Sequence, residues 1–320
     1  MSNTEQNSPN TGVQLLEVSS HSDEQRLDNF LMSRLKGLPK SHLYRLIRKG
    51  EIRVNKKRCK PDQRLAEGDV VRVAPLRLSN PEAPVAPGAG LMQHLTQSIL
   101  YEDEYLMILN KPSGLAVHGG SGIAAGLVEA LRFMAGPEDY RELVHRLDKE
   151  TSGCLLIAKT GKTLKALQAE MKAGNFQKKY LVLVHGQWPR QVTKVDSPLL
   201  KHHPSDGESY STIDSEGKPS ITLFEIRQVF AAATLIEATL VTGRTHQIRV
   251  HTQSVGHPVV GDTRYTFDKP HTFKSVRHMC LHAASLKFRH PLTDANIEVS
   301  APLPDLMQSL INTLSDKKTV

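Results

Sequence analysis

Apolar and polar positions in the first quarter of the chain follow two different periods. Over residues 23–38 and again over 39–50, apolar side chains recur every three or four positions, which is typical of amphipathic helices. Residues 51–60 and 65–74 instead alternate apolar and charged side chains around short turns, which is typical of strands. The pattern therefore predicts two short helices followed by a small hairpin over residues 25–74.

The chain becomes rich in strands from about residue 97. Segments typical of strands are 98–112, which holds two, and 153–160, 178–186, 220–230, 233–243, 280–291 and 295–302. Helical periodicity covers residues 122–137, 163–174 and 244–256. Because strands outnumber helices and often follow one another directly, we predict an α+β domain with a mixed, mostly antiparallel central sheet flanked by helices.

Composition and local pattern divide the 320 residues into four parts. We predict a disordered tail over residues 1–22, a small module over 23–75, a proline-rich linker over 76–96 and a larger domain over 97–320. The linker assignment depends on four prolines and two glycines within residues 75–90.

Cysteine usage and hydropathy indicate the compartment. Cys59, Cys154 and Cys280 stand far apart, so we expect free thiols in a reducing cytoplasm. No segment approaches the roughly 18 apolar residues of a membrane span. The first residues lack the basic and apolar regions of a secretory signal. We expect a cytoplasmic protein without a membrane partner. We also expect a monomer, because no surplus apolar pattern requires a second chain.

Positive charge is concentrated in one short segment. The net charge is +8, yet residues 34–60 alone hold 11 Lys/Arg and one acid, so the rest of the chain has a net charge of −2. A concentrated basic block is typical of a polyanion partner, with nucleic acid favoured over an acidic membrane. A plain solvated basic face is the alternative. The candidate nucleic-acid contacts on the second helix and the hairpin are Arg45, Arg48, Lys49, Arg53, Lys56, Lys57 and Arg58.

Motifs for metals and nucleotide cofactors are absent from the sequence. There is no Cys-x-x-Cys or His-Glu-x-x-His, and His246 and His251 are five residues apart, on different faces of a helix. The glycine-rich stretch at 118–122 lacks the Gly-Lys-Ser/Thr ending of a phosphate loop, so we predict a turn there. We expect neither a metal nor a small-molecule cofactor.

One carboxylate stands out next to a predicted buried strand. In "HRLDKETSG", Asp148 lies between Arg146 and Lys149, just before the strand at 153–160. The alternative is that Asp148 is an ordinary turn residue surrounded by surface charges. Two other stretches favour a catalytic role for Asp148 over a role in a turn. "TGRTHQIRVH" places Arg244, His246, Gln247 and Arg249 where a strand meets a helix, and "KKYLVLVHG" places Tyr180 at the mouth of a buried strand.

Two resemblances follow from these stretches. The basic module resembles an S4 domain, a small RNA-binding unit. The segments "NKPSGLAVHGG", "HRLDKETSG", "KKYLVLVHG" and "TGRTHQIRVH", the last followed by "HPVVGDTRY", resemble the RluA family of pseudouridine synthases over about residues 99–290. The motifs are long and specific, and they occur in the family's order.

The family resemblance implies an enzyme that isomerises specific uridines to pseudouridine in RNA without a cofactor. Asp148 would be the catalytic aspartate, paired with Arg249, and Tyr180 would stack under the uracil. Arg146 would occupy the space that the extruded uridine leaves. Arg244, His246 and Gln247 are expected to contact the RNA. Asp148 could attack the sugar, add to the uracil ring or remove the 2′ proton, and the sequence does not choose among these roles.

The sequence leaves alternatives open for the RNA target and for the activity. The S4-like module and the exact residues of the motifs favour large-subunit (23S) ribosomal RNA as the partner. The same chemistry could act on transfer RNA or on other ribosomal uridines. The basic module alone would equally suit a non-catalytic ribosomal RNA-binding assembly factor.

Overall fold

The structure is a computed structural model that describes residues 12–35, 38–76, 88–117, 126–135, 140–204, 208–267 and 272–316. The turn predicted at 118–122 and most of the predicted linker lie outside these ranges. The helices are α1 (Leu27–Arg34), α2 (Lys40–Lys49), α3 (Ala89–Gln97), α4 (Leu127–Ala135), α5 (Gly161–Ala173), α6 (Gln247–Ser254) and α7 (Asp305–Asp316). The strands are β1 (Gln14–Glu17), β2 (Ile52–Val54), β3 (Lys57–Arg58), β4 (Val70–Val73), β5 (Ile99–Glu102), β6 (Leu106–Lys111), β7 (Glu142–Leu143), β8 (Ser152–Ala158), β9 (Gln177–His185), β10 (Lys194–Asp196), β11 (Leu199–His202), β12 (Tyr210–Ile213), β13 (Ile221–Val229), β14 (Ala233–Leu240), β15 (Leu281–Arg289) and β16 (Asn296–Ser300).

The N-terminal module packs two helices against a small antiparallel sheet of order β1-β4-β2-β3. Asn55 and Lys56 both have positive φ, as the two central residues of a tight hairpin between β2 and β3 require. The apolar faces of α1 and α2 close a core that includes Phe30, Leu43 and Val71, each fully buried. The predicted pair of helices and hairpin is confirmed.

Two predicted boundaries are wrong. Residues 1–22 were expected to form a disordered tail, but β1 pairs along its whole length with β4, and a helical turn follows at Ser20–Ser22. Residues 76–96 were expected to form a linker, but α3 begins at Ala89. Both segments are short, and they are ordered by partners distant in sequence: β4 supplies hydrogen bonds to β1, and the main core buries Leu95 of α3.

The larger domain is built on one sheet of order β10-β13-β14-β9-β15-β8-β6-β5, with β16 pairing with β15 and β7 with β8. β15 and β8 run parallel, and the other pairs described are antiparallel, so the prediction of a mixed, mostly antiparallel sheet is confirmed. Every residue of β8 is buried. α7 and the short strands β10, β11 and β12 were not predicted. Within the described ranges, no helix is both long and apolar enough to span a membrane.

The N-terminal module contacts the start of α5. A Cβ atom placed on Gly161 would lie 2.4 Å from the carbonyl oxygen of Asp23, so glycine is required for this approach of the two backbones. One turn further along α5, Lys165 Nζ lies 2.7 Å from a carboxylate oxygen of Glu24. The module is therefore attached to the larger domain by a close backbone contact as well as by the linker.

Candidate active site

A cavity of about 270 Å³ lies where the loop before β8, the start of β9 and the start of α6 meet. β9 and β8 flank β15 in the sheet, so the start of β9 and the loop before β8 lie near one another. Asp148, Tyr180 and Arg249 all line this cavity. The volume is close to the lower end of the roughly 300–1,000 Å³ of small-molecule sites, which suits one nucleoside better than a duplex segment.

Asp148 and Arg249 are joined directly, as the family resemblance implied. Arg249 Nη1 donates a hydrogen bond of 3.1 Å to Oδ2 of Asp148, across 101 positions of sequence. The Asp148 side chain is 20% exposed, so the carboxylate is open to the cavity, whereas the Arg249 side chain is 11% exposed. The Asp148 carboxylate thus faces the cavity on one side, and on the other side the Arg249 guanidinium compensates its negative charge.

A second carboxylate, Asp262, holds Arg249 in place. The Nε and Nη2 atoms of Arg249 donate to the two oxygens of Asp262 at 2.6 and 2.9 Å, and the Asp262 side chain is fully buried. Burial acts to lower the pKa of Arg249, but the hydrogen bonds to Asp262 and the charge of Asp148 outweigh burial and raise the pKa. The guanidinium therefore stays charged and is shared between two carboxylates.

Asp262 was missed by sequence reasoning, although it lies in the stretch "HPVVGDTRY". Its Oδ1 also accepts backbone N–H bonds from Arg264 and Tyr265, each at 2.9 Å. The preceding Gly261 has φ of +80°, and a Cβ there would lie 1.9 Å from the carbonyl oxygen of His278. The local signal in the sequence was the pair Gly261-Asp262, a glycine followed directly by an acid. That pair does not show that Arg249 is the partner of Asp262.

The residue before α6 connects the acid to a tyrosine. His246 Nε2 lies 3.7 Å from Oδ2 of Asp148, and its Nδ1 lies 2.9 Å from the hydroxyl of Tyr265. Burial lowers the pKa of His246, and the charge of Asp148 only partly offsets this. The ring is therefore neutral near pH 7 and faces the carboxylate as an uncharged neighbour.

Gln247 orders the loop and does not present its amide to RNA. Its oxygen accepts from the Thr242 hydroxyl and the Arg244 backbone N–H, and its nitrogen donates to the Ile221 carbonyl and the Thr222 hydroxyl. These four bonds use the full hydrogen-bonding capacity of the amide. The side chain is also buried. The expected RNA contact through Gln247 is therefore corrected to a structural role in positioning the loop.

Tyr180 is a neutral phenol in this setting. The residue is 7% exposed. Burial raises the pKa of its hydroxyl, and the negative charge of Asp148 raises it further. A phenol with a raised pKa can stack or donate a hydrogen bond, and it becomes a base only after losing a proton.

Lys111 fixes the loop that carries Asp148, and sequence reasoning did not single it out. Its Nζ is buried and donates to the carbonyl oxygens of Pro112, Leu115 and Lys149 at 2.8, 2.9 and 2.8 Å. Burial lowers its pKa to about 8, with the charges of Glu150 and Asp148 opposing the shift. The signal was a lysine that ends a buried strand and precedes proline in "NKPSG".

The remaining predicted contacts lie on exposed surfaces. Arg146 and Arg244 line the cavity and are exposed, and Arg244 Nε donates to the carbonyl of Pro219 at 3.1 Å. The cations predicted in the N-terminal module are all exposed: Arg45, Arg48, Lys49, Arg53, Lys56, Lys57 and Arg58. The cavity and the basic module thus both present positive charge to solvent.

The sheet of the N-terminal module adds an arginine that was not predicted, Arg72 on β4. Arg58, Arg53 and Arg72 are directly opposite one another on β3, β2 and β4, so their side chains share one face of the sheet. Like charges placed opposite each other destabilise a sheet. A row of three arginines is therefore typical of a surface that binds a polyanion.

In the part of the chain that the structure describes, no three His, Cys, Asp or Glu side chains are grouped as metal ligands would be.

Two family models match the chain. The model of the RNA pseudouridylate synthases matches residues 105–254, and the model of the S4 domain matches residues 25–71. Ribosomal large subunit pseudouridine synthase C of Pasteurella multocida (strain Pm70) is 46% identical over 97% of this chain and 96% of its own length. The protein of the same name from Escherichia coli (strain K12) is 45% identical over 96% of this chain and 98% of its own length.

Solved structures give the same fold. Human RNA pseudouridylate synthase domain containing 4 superimposes with a TM-score of 0.60 at 23% identity, over 71% of this chain and 96% of that one. Human RNA pseudouridylate synthase domain containing 1 does so with a TM-score of 0.51 at 26% identity, over 72% of this chain and 97% of that one.

Proposed function

The chain belongs to the RNA pseudouridylate synthase family, and we propose on that premise that it converts specific uridines of large-subunit ribosomal RNA to pseudouridine. The relatives that share nearly its whole length are named for the ribosomal large subunit. The observation that carries the proposal is the hydrogen bond between Asp148 and Arg249 inside the cavity. It joins two of the family motifs that the sequence keeps far apart.

Asp148 is the proposed catalytic carboxylate. The reaction breaks the glycosidic C–N bond, turns the uracil within the site and forms a C–C bond to carbon 5. Breaking the glycosidic bond builds positive charge on the sugar, which a nearby carboxylate stabilises. The exposed face of Asp148 is available for this purpose, while the Arg249 guanidinium places a positive charge 3.1 Å from the other side of the carboxylate. Attack on the sugar, addition to the ring and removal of the 2′ proton all use this same carboxylate.

Tyr180 and Arg146 complete the proposed site. The phenol of Tyr180 stacks under the uracil and holds the base in place while carbon 5 loses its proton. The planar guanidinium of Arg146, at the exposed rim, fills the space that the extruded uridine leaves in the RNA. Extrusion costs a few kcal/mol, and this cost is offset by contacts made only with the flipped nucleotide.

The basic module supplies phosphate contacts in this proposal. Its exposed cations add affinity that depends on salt and little on sequence. We also propose that the enzyme works as a monomer in the cytoplasm. All three cysteines are free thiols, as a reducing compartment favours.

Tritium release tests the chemistry. Large-subunit ribosomal RNA transcribed with [5-³H]uridine should release tritium to water when it is incubated with the wild-type protein. It should release no tritium with Asp148→Asn, because this substitution keeps the shape of the side chain and removes its charge. Full release by Asp148→Asn would reject the catalytic assignment. RNA binding without any release by the wild type would identify a binding factor instead.

Mapping pseudouridines in cells that lack the protein tests the target. The expected result is the loss of specific pseudouridines from large-subunit ribosomal RNA. Unchanged ribosomal RNA together with missing pseudouridines in transfer RNA would keep the chemistry and reassign the substrate.

A further inference from the structure

Lys178 lies in the candidate active site but has no role in the chemistry described above. It precedes Tyr180 by two positions on β9, and side chains two apart on a strand share one face of the sheet. Both residues line the cavity. Lys179, between them, points to the opposite face, where its Nζ lies 2.9 Å from a carboxylate oxygen of Glu237. Two adjacent lysines thus have opposite surroundings.

The Lys178 ammonium lies beside Gly243, in the loop between β14 and α6. A Cβ placed on Gly243 would lie 3.7 Å from its Nζ, and the charge of Lys178 contributes to lowering the pKa of His145. Throughout the described ranges, no hydrogen bond or ion pair engages this ammonium. Asp148, the carboxylate that lines the cavity, is hydrogen-bonded to Arg249.

The charge of the cavity makes this arrangement costly without a ligand. Its lining contains the cations Arg146, Lys178, Arg244 and Arg249 and one carboxylate, Asp148. Lys178 is partly buried, and burial alone lowers its pKa. A partly desolvated cation beside other cations becomes favourable when an anion binds.

The chemistry of the substrate identifies that anion. Within a uridine of an RNA chain, the base and the ribose are neutral, and the negative charge resides on the phosphodiester groups. We propose that Lys178 binds a phosphodiester oxygen next to the target uridine and so fixes the backbone of the extruded nucleotide while Tyr180 contacts its base. This assignment rests on the proposed function and adds a binding residue to it.

The test compares Lys178→Gln with Lys179→Gln, a matched control from the same strand. Binding of a short target RNA is followed by fluorescence anisotropy, and turnover by tritium release, each over a series of KCl concentrations. Lys178→Gln should raise both Kd and KM, with little change in kcat. It should also reduce the slope of log Kd against log salt by about 0.7, the value for one single-strand phosphate contact. Lys178→Arg should restore binding, and Lys179→Gln should behave as the wild type.

Neutral linkages identify the contact independently of any substitution. A methylphosphonate placed on the 5′ side and then on the 3′ side of the target uridine removes one charge at a time. One of the two should weaken wild-type binding as much as Lys178→Gln does, and should weaken the variant no further. Should neither linkage affect the wild type, the proposal is rejected whether or not the lysine variant folds.

The outcomes also separate this inference from the proposed function. An unchanged salt slope with a large fall in kcat would assign Lys178 to the uracil and overturn the phosphate contact. Wild-type binding without tritium release would reject the enzymatic proposal, while the salt slopes and the neutral linkages would still decide the role of Lys178.

Discussion

Arg249 is held by two carboxylates, and this geometry depends on the shape of the guanidinium. Nε and Nη2 bind Asp262, while Nη1 binds Asp148. The planar fork allows one side chain to satisfy both partners at fixed angles, whereas an ammonium group acts as a point charge. The buried Asp262 therefore determines where the cation beside Asp148 can be.

Arg249→Lys tests that dependence while keeping the positive charge. We expect turnover to fall by roughly 100-fold, because a displacement of about 1 Å at a reacting group has that effect. Asp262→Asn should give a similar loss, since it leaves Arg249 without its two-point support. The measurement is kcat from tritium release at saturating RNA.

Arg227→Lys is the matched control for this substitution. Arg227 also bridges two carboxylates, Glu225 and Glu237, but its side chain is 38% exposed. The control should change neither turnover nor stability measurably, because exposed ion pairs contribute little. Near-normal turnover in Arg249→Lys would show that charge alone suffices and would contradict the positioning argument.

At the scale of elements, the sheet of the N-terminal module is shaped for a polyanion. The register places Arg58, Arg53 and Arg72 in one row across three strands. Pairing determines this row, because Arg72 lies 14 positions beyond Arg58, as the single charged residue of an otherwise apolar strand.

Arg53→Gln, in the middle of the row, should weaken RNA binding and reduce the salt slope by about 0.9 if the row contacts duplex RNA. The melting temperature should change little, because the substitution removes repulsion between opposite side chains together with two long hydrogen bonds, of 3.3 Å each, from Arg53 to the carbonyls of Gly50 and Lys56. Lys194→Gln is the control, since Lys194 is exposed and pairs with Asp196 in the larger domain. A lower melting temperature with unchanged binding would count against a role in RNA contact.

At the scale of the whole molecule, the contact at Gly161 connects the basic module to the domain that holds the cavity. A methyl group on Gly161 would meet the Asp23 carbonyl oxygen at 2.4 Å and the Gln25 backbone nitrogen at 3.0 Å. Backbone atoms cannot move aside as the end of a side chain can. The position of the module relative to the cavity therefore depends on this glycine.

Gly161→Ala should separate the module from α5 while leaving each domain folded. We expect a larger radius of gyration in X-ray scattering, unchanged turnover on a minimal stem-loop and a higher KM on full-length ribosomal RNA. Lys162→Ala, an exposed neighbour in the same helical turn, should alter none of these. An unchanged radius of gyration in Gly161→Ala would show that the contact does not set the arrangement.

Buried histidines predict a second property of the whole molecule, a loss of stability in mild acid. His145 Nε2 accepts a hydrogen bond from the Leu156 backbone N–H, and burial lowers the pKa of the ring from 6.5 to about 4. Burial also lowers the pKa of His251 and His282. Between pH 6.5 and about 4, the unfolded chain binds more protons than the folded one. The free energy of unfolding therefore rises with pH in this range, and stability is lost as pH falls from about 6.5 toward 4.

Urea unfolding at fixed ionic strength across this pH range measures the effect. His145→Gln, whose amide oxygen can still accept the Leu156 bond, should reduce the slope of unfolding free energy against pH. His203→Gln, at an exposed position, should leave the slope unchanged. Carboxylates with lowered pKa values, such as Asp103 and Glu237, also lose stability as pH falls, but mainly below about pH 5, so the part of the profile above pH 5 reports the histidines. A flat profile between pH 6.5 and 4 would contradict the prediction.

The sequence alone determined what depends on local pattern. Hydrophobic periodicity predicted the helices α1, α2, α5 and α6 and the main strands of the sheet, because each buries one face and repeats with its own period. The charge block located the basic module, and the motif around Asp148 identified the carboxylate. These features require only residues that are close in the sequence.

The tertiary structure decided what depends on distant partners. β1 has only four residues, and the prolines and glycines before α3 indicated a linker, so neither element was predicted; β4 holds β1, and the main core holds α3 through Leu95. Asp262 has the sequence signature of an ordinary turn acid, and only the approach of its loop to α6 shows that it holds Arg249. Lys178 and Lys179 are identical letters in the sequence. The sheet places one in the cavity and the other against Glu237, because successive side chains of a strand point to opposite faces.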